Sequence, residues 1–310
     1  MDIGIYCYSA QNNLIYGCSL VNNGRGIDCY NHSLGNTIEQ CIVNDNIGSG
    51  ICIWNGGSNT LILNSEISHN GYGMDYDQYG VFFDESSYMH IEGCTISENK
   101  KTGVLFSYDT SNNQICNSTI SNNQMNGIEF RSNSHQNTIY HNNFINNSNQ
   151  AVDKGYNNVW DDGTLGNYWS DYTGQDANND CIGDTPYNIS GGTNKDKFPL
   201  LLPYGEQPSV KIISPEESYI YFRNLKIYPF FTTLLFGNIK IKTNAANYIY
   251  GIERVEFYVD NILRRKDTTP PYDWVWRLSS HLKHRHIIKV IVYDNDGQTA
   301  TDEMNVLRFF

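Results

Sequence analysis

The sequence predicts an all-β chain in two parts, a right-handed parallel β-helix followed by a β-sandwich. Three observations carry this. A unit of 23–24 residues recurs through residues 1–153. Each unit holds three short apolar/polar alternations separated by Asn/Gly turns. The repeat stops before Pro203 and Pro208, and irregularly spaced alternating runs replace it.

The repeat starts at Asn13, Asn36, Thr60, Met89, Asn113 and Asn137, in steps of 23, 24, 29, 24 and 24 residues. Two residues into each unit stand Ile15, Ile38, Ile62, Ile91, Ile115 and Ile139. Seven residues in stand Leu20, Val43, Ile67, Ile96, Ile120 and Phe144. Ten in stand Asn23, Asn46, Asn70, Asn99, Asn123 and Asn147. A Gly or Ala follows, at Gly26, Gly50, Gly80, Gly103, Gly127 and Ala151. Alternation gives each run one inward and one outward face. Three such strands cannot close a core alone, but stacked units can, each strand pairing with its equivalent one coil on. Six to seven coils at ~4.8 Å each make a rod of about 30 Å.

The cysteines fit this scaffold. Cys18, Cys41 and Cys94 share a position with Ser65, Ser118 and Asn142, and Cys7 and Cys29 share a stack with Ile53, Phe83, Phe106 and Phe130. Five of the eight thiols are thus expected inside as small hydrophobes, whereas Cys52 and Cys116 fall on outward positions. No C-x-x-C occurs, and His32, His69, His90, His135 and His141 do not pair at ligand spacing. The turn asparagines are expected to take left-handed conformations and to stack their amides. Gly4-Ile5-Tyr6-Cys7 matches Gly26-Ile27-Asp28-Cys29, so the pattern is entered in mid-coil. Upstream coils, or an end-to-end partner, are expected to cover that end.

Two places break the repeat. The third unit is five residues longer, with the excess in Gly71–Tyr79. Tyr72, Asp75, Tyr76, Asp77 and Tyr79 are the candidate ligand contacts, because Tyr rings stack on sugars and loops on rigid scaffolds carry binding. A catalytic acid/base pair would need two carboxylates at a fixed separation. Asp75 and Asp77, with Asp84 and Glu85, are the candidates there, but spacing alone assigns no catalytic residue. The second break carries Asp176, Asn178, Asp180, Ile182 (through its carbonyl) and Asp184, the first nine positions of a Ca²⁺ loop. Cys181 stands where such a loop wants Gly, and Tyr187 where it wants Glu, so a helical EF-hand is excluded and a looser Ca²⁺ loop is expected. The segment 157–205 is expected to close the helix.

Beyond residue 206, alternating runs at Val210–Ile213, Ile239–Lys242, Val255–Val259, Trp274–Leu278, Ile287–Val292 and Met304–Leu307 predict an Ig-like β-sandwich. Trp274 and Trp276 are expected in its core and edge, and His281, His284 and His286 in a solvated turn.

Composition narrows the function. Charged residues are 17% and the net charge is −12, which disfavours nucleic acid and anionic membrane surfaces. With 23 Tyr, 13 Phe and 26 Gly, the chain suits strands and turns, not a helical bundle. The longest apolar run, Ile227–Ile239, is short of the ~18 residues of a membrane span and contains Pro229. No signal peptide is readable at Met1.

The Asn-x-Ile…Asn-Asn…Gly-Ile coils resemble the NosD-like, carbohydrate-binding and sugar-hydrolase β-helix family, over about residues 1–200. Gly166-Asn-Tyr-Trp-Ser-Asp-Tyr172 and Ile182-Gly-Asp-Thr-Pro-Tyr187 are similar to the stretch that closes such helices in archaeal surface proteins. Val255-Glu-Phe-Tyr-Val-Asp260 and Val292-Tyr-Asp-Asn-Asp-Gly297 resemble Ig-like modules of secreted proteins. The resemblance implies an extracellular or cell-surface protein, and for some members copper delivery, which no Met/His/Cys cluster visible in the sequence supports. Two functions stay open: a non-enzymatic protein presenting a glycan- or surface-binding face with an Ig-like spacer, or a polysaccharide lyase or glycoside hydrolase using carboxylates on the groove. Clustered Asp/Glu with Arg or Lys would favour the enzyme.

Overall fold

The computed structural model describes residues 2–73, 78–178, 180–205, 207–277 and 284–309. They form strands and turns with no helix, and the contacts divide them into two units. The first is Met1–Gln175 with Gly183–Leu200, and the second is Asp176–Ile182 with Leu201–Phe310.

The first unit is the expected parallel β-helix. Its first sheet stacks Ile3–Tyr8, Arg25–Tyr30, Ile51–Ile53, Val81–Phe83, Val104–Phe106, Asn126–Phe130 and Asn149–Asp153. The second runs from Leu14–Tyr16 to Thr138–Tyr140 and the third from Ser19–Val21 to Tyr168–Trp169, every neighbour parallel and one coil apart. Ile38, Ile62, Ile91, Ile115 and Ile139 stand in register and are almost fully buried. The stack Cys7, Cys29, Ile53, Phe83, Phe106 and Phe130 is buried as expected, and Phe106 lies flat on Phe130 at 4.4 Å.

The asparagine ladder is a continuous hydrogen-bonded row. Asn23 donates from its backbone N–H and its amide nitrogen to Asn46 Oδ1, and Asn46, Asn70, Asn99 and Asn123 repeat the pattern towards Asn147. From Asn46 onward the same amide nitrogens also donate to core-strand carbonyls, such as Leu20, Val43 and Ile67. The left-handed corner is a separate job, held by the residue before: Asn22, Asp45, His69, Glu98, Asn122 and Asn146 all have positive φ. Ladder and corner therefore fall on adjacent residues rather than on one asparagine. The glycine row follows from the ladder: a Cβ on Gly80 would meet Gly103 O at 2.6 Å and Asn99 Nδ2 at 2.7 Å. Ala151 does not continue that row. It pairs with Ile128, which places Gln150 behind Gly127.

After Asp153 the chain closes the stack with large rings. Trp160 and Trp169 are fully buried, and Trp169 lies between Phe144 (4.3 Å, 8°) and Tyr187 (4.2 Å, 7°). Asn167 adds a last amide above Asn142.

The second unit is built of two sheets, consistent with an Ig-like sandwich. Ser209–Ser214, Ile239–Ala246 and Asp273–Trp276 pair antiparallel. The other sheet has the order Leu225–Pro229, Tyr219–Phe222, Thr233–Phe236, Thr299–Phe309, Arg285–Asp294, Ile252–Val259, Ile262–Asp267. Leu235, Ile239, Ile241, Phe257, Val290 and Trp276 share its core. His281 lies outside the described residues. His286 Nδ1 is 2.8 Å from Asp260, and the His284 ring stacks on Phe309.

Candidate functional site

The outer face of the first sheet is the richest in chemistry. Its outward row reads Tyr6, Asp28, Cys52, Phe82, Leu105, Glu129, Val152. Asp28 is buried, and its two oxygens take Arg25 Nη1 and Trp54 Nε1, each at 2.7 Å. The Arg25 guanidinium also sits 5.3 Å from the centre of the Trp54 ring. At the ends of the strands, one position from each coil supplies Tyr8 and Tyr30, the last residues of theirs, and Trp54, one residue beyond Ile53. Their rings follow one another at 5.9 and 4.8 Å, starting from Tyr6 at 6.2 Å from Tyr8. Tyr6 and Tyr8 are more than half exposed. The same line continues as Asp84, Ser107 and Arg131, where Ser107, Tyr108, Arg131, Ser132 and Asn133 line a cleft of about 260 Å³.

Carboxylates on this face are held by protein donors. Asp84 accepts the Tyr108 N–H at 3.0 Å, and Glu129 accepts from the Asn126 amide at 2.9 Å. Between Asp28 and Glu129 stand Cys52, Phe82 and Leu105, so these two acids are four coils, about 19 Å, apart at ~4.8 Å per coil. Cleaving a glycosidic bond needs a carboxyl pair roughly 5–9.5 Å apart.

The long third unit feeds the same face. Tyr79 stacks on Phe82 at 5.5 Å and 22°, with Lys101 beside its ring. Tyr72 is exposed and carries Lys100 at 5.9 Å. Asp75, Tyr76 and Asp77 lie outside the described residues.

Two outward cysteines are buried, one on the first sheet and one on the second. Cys52 and Cys116 point outward by register, as expected, yet are only 1% and 3% exposed. His90 is not isolated: His90, Glu92 and Cys116 bring a nitrogen, an oxygen and a sulfur within 4.8 Å of one another. The hydrogen bond from His90 holds the Glu92 carboxyl below its ordinary range. Burial, with Glu92 nearby, pushes the Cys116 thiol up to about 11, and burial with Cys116 pushes the Tyr140 phenol up to about 12. Sequence spacing hid this cluster because Cys116 is 24 residues from Glu92, one full coil. The register of the repeat was the signal that could have found it.

Of the expected Ca²⁺ ligands, Asp176, Asn178, Asp180 and Ile182 lie in the second unit and Asp184 in the first. Asp176 accepts the N–H groups of Asp180 (3.2 Å) and Cys181 (3.0 Å), and Asp180 Oδ1 accepts that of Ile182 at 2.8 Å. Cys181, at the position where such loops use Gly, has φ 65°. Its buried thiol is pushed up to about 12 by desolvation.

Comparison with known proteins agrees with this architecture. Residues 208–290 match the bacterial Ig domain. No curated protein matches the chain. Among solved structures, the periplasmic alginate epimerase AlgG aligns at 23% identity over 49% of this chain and 35% of its own, with a TM-score of 0.44. The tailspike protein 2 of bacteriophage CBA120 aligns at 14% identity over 97% of this chain and 49% of its own, TM-score 0.40. The chain thus spans about a third of the epimerase's length. The sequence model described as periplasmic copper-binding protein (NosD) matches residues 3–174, more than half of the 310 residues, and the chain belongs to that family of parallel β-helix proteins.

Proposed function

We propose that this protein is a non-enzymatic binding protein acting outside the cytoplasm, with the outer face of the first sheet as a glycan-binding platform. The observation that carries the reading is the Tyr8, Tyr30, Trp54 row, one ring per coil, beside the Arg25–Asp28 pair. Sugar rings stack their C–H faces on aromatics while charged and amide groups bond their hydroxyls, and a row with coil spacing offers successive subsites to a chain of sugars. The description of the family as periplasmic supports the location. Asp28 is engaged by Arg25 and Trp54, and Asp84 by the Tyr108 N–H, and carboxylates held in this way by protein donors favour binding over cleavage. The Ig-like unit is a spacer or adhesive module in this reading. Affinity electrophoresis against acidic and neutral polysaccharides, with a reducing-end assay alongside, is the test. Retardation that Trp54→Ala abolishes supports the platform, and release of reducing ends would replace it with the hydrolase or lyase reading.

Calcium is a second, separate reading, for the loop Asp176–Ile182. The left-handed Cys181 favours it, since the sixth position of a Ca²⁺ loop needs that turn. Copper enters through the family description.

A further inference from the structure

The outer face of the second sheet carries donors that the glycan reading leaves unused. On the strand His90–Glu92, Ile91 enters the core, so His90 and Glu92 both project outward. The next coil sets Gln114 beside His90 and Cys116 beside Glu92, and the coil after that sets Tyr140 beside Cys116. Three different ligand types therefore meet at one point: an imidazole nitrogen, a carboxylate oxygen and a thiol sulfur, within 4.8 Å of one another.

Each ligand is also held by a neighbour. Gln114 donates its amide hydrogen to the Tyr140 hydroxyl, which turns its Oε1 towards His90 Nδ1 at 3.1 Å. Nε2 faces Glu92 Oε2 at 2.9 Å. The proton shared by these two atoms holds imidazole and carboxylate together, and an ion that binds both takes its place. Asn117 occupies the other Glu92 oxygen at 3.0 Å, and Tyr140 is hydrogen-bonded to the thiol. Such supporting bonds are what orient ligands around a metal and fix the histidine tautomer. The His90 and Glu92 side chains are 23% and 44% exposed, with Cys116 beneath them, so an ion can enter from solvent.

We infer that His90 Nε2, Glu92 Oε2 and Cys116 Sγ form a three-ligand site for zinc. Zinc takes thiolate, imidazole and carboxylate together, whereas Ca²⁺ and Mg²⁺ take oxygen and copper(I) has little use for the Glu92 carboxylate. On binding, the ion takes the position between imidazole and carboxylate, the proton held there and the thiol proton both leave to solvent, and no electron is transferred. The inference rests on second-sheet residues alone and is independent of the glycan platform.

The test uses the full chain stripped of metal. Cobalt(II) is titrated as a spectroscopic stand-in for zinc, then displaced with Zn²⁺. Copper(I) is offered anaerobically against a chromogenic chelator. One equivalent with a thiolate-to-cobalt absorption band that Zn²⁺ abolishes is expected, and one equivalent of copper(I) without that band would overturn the zinc assignment. Cys116→Ser should remove the band and His90→Ala should weaken binding roughly 100-fold or more. Gln114→Ala should weaken it roughly 10–100-fold, through the lost support of His90. Cys18→Ser should change nothing. If Cys116→Ser fails to fold, the partly exposed His90 carries the test. Failure to bind Co²⁺ and Zn²⁺ at one equivalent, or binding that survives both Cys116→Ser and His90→Ala, overturns the site.

Discussion

Trp169 donates its indole N–H to Asp196 Oδ2 at 2.8 Å, so the ring that closes the β-helix is fastened by a buried carboxylate. The same carboxylate takes the N–H groups of Asn167 at 2.7 Å and Phe198 at 3.0 Å. Burial nonetheless holds its pKa up at about 6, above the ordinary 3.8. The folded state thus keeps a proton between about pH 4 and 6 that the unfolded chain releases. Stability from this group is present below pH 4 and is lost as pH rises through 6, by about 2–3 kcal/mol. Asp196→Asn sets an NH₂ or a single oxygen against three donors and should cost about 1–3 kcal/mol at pH 5. Urea midpoints at pH 5 and pH 7 check both effects. An equal pH difference in wild type and variant would remove Asp196 as its source.

Asn99→Ala should be among the costliest single changes in the helix. It strips the acceptor from the Asn70 N–H and amide, and the donor from Ile67 O, in a site without solvent. Leaving such groups unpaired costs about 1–3 kcal/mol each, so a loss of about 3–5 kcal/mol is expected. Chemical denaturation measures it, with Asn122→Ala at the corner one coil on as a comparison for the lost left-handed turn alone.

For the glycan platform, Trp54→Ala should weaken polysaccharide binding at least tenfold with an unchanged fold, and Tyr8→Ala should follow it. Tyr72→Ala separates the ring row from the long third unit. If Tyr72→Ala abolishes retardation while Trp54→Ala does not, the ligand lies on the loop and not on the sheet.

For the calcium loop, melting midpoints in EDTA and in millimolar Ca²⁺ should differ in wild type and coincide in Asp180→Ala. A ligand seen only by the folded state adds RT ln(1 + [L]/Kd), about 2.7 kcal/mol at a hundredfold excess over Kd. Coincident midpoints in wild type, with no heat of binding, leave an Asx-type turn held by Asp176 and Asp180.

The fold was legible because a 24-residue period leaves each inward position with one chemistry. The Ile38 to Ile139 stack and the phenylalanine stack followed directly from it. Four strands of the second unit were not legible: Tyr219–Phe222, Leu225–Pro229, Thr233–Phe236 and Ile262–Asp267. The first three sit in an aromatic run with little alternation, turned at Arg223 and Asn224, which have positive φ without a glycine. The last is polar on both faces, an edge strand whose Arg and Lys side chains are largely exposed. The outward chemistry was missed for the opposite reason. Asp28 meets Trp54, and Glu92 meets Cys116, only across coils, where sequence distance hides contact.

The asparagine row gives the β-helix an electrical direction. Every amide from Asn23 to Asn123 gives one N–H to the oxygen of the next coil's asparagine, the second N–H from Asn46 onward returns to a carbonyl of the coil before, and Asn147 passes the last hydrogen of the row to Gln150. Side-chain dipoles thus add head to tail, as peptide dipoles do in a helix. A stack of this kind can meet another coil only in one sense, hydrogen against oxygen. Two copies brought together by their N-terminal faces would set oxygen against oxygen. The row therefore imposes one sense of stacking on every coil that joins it.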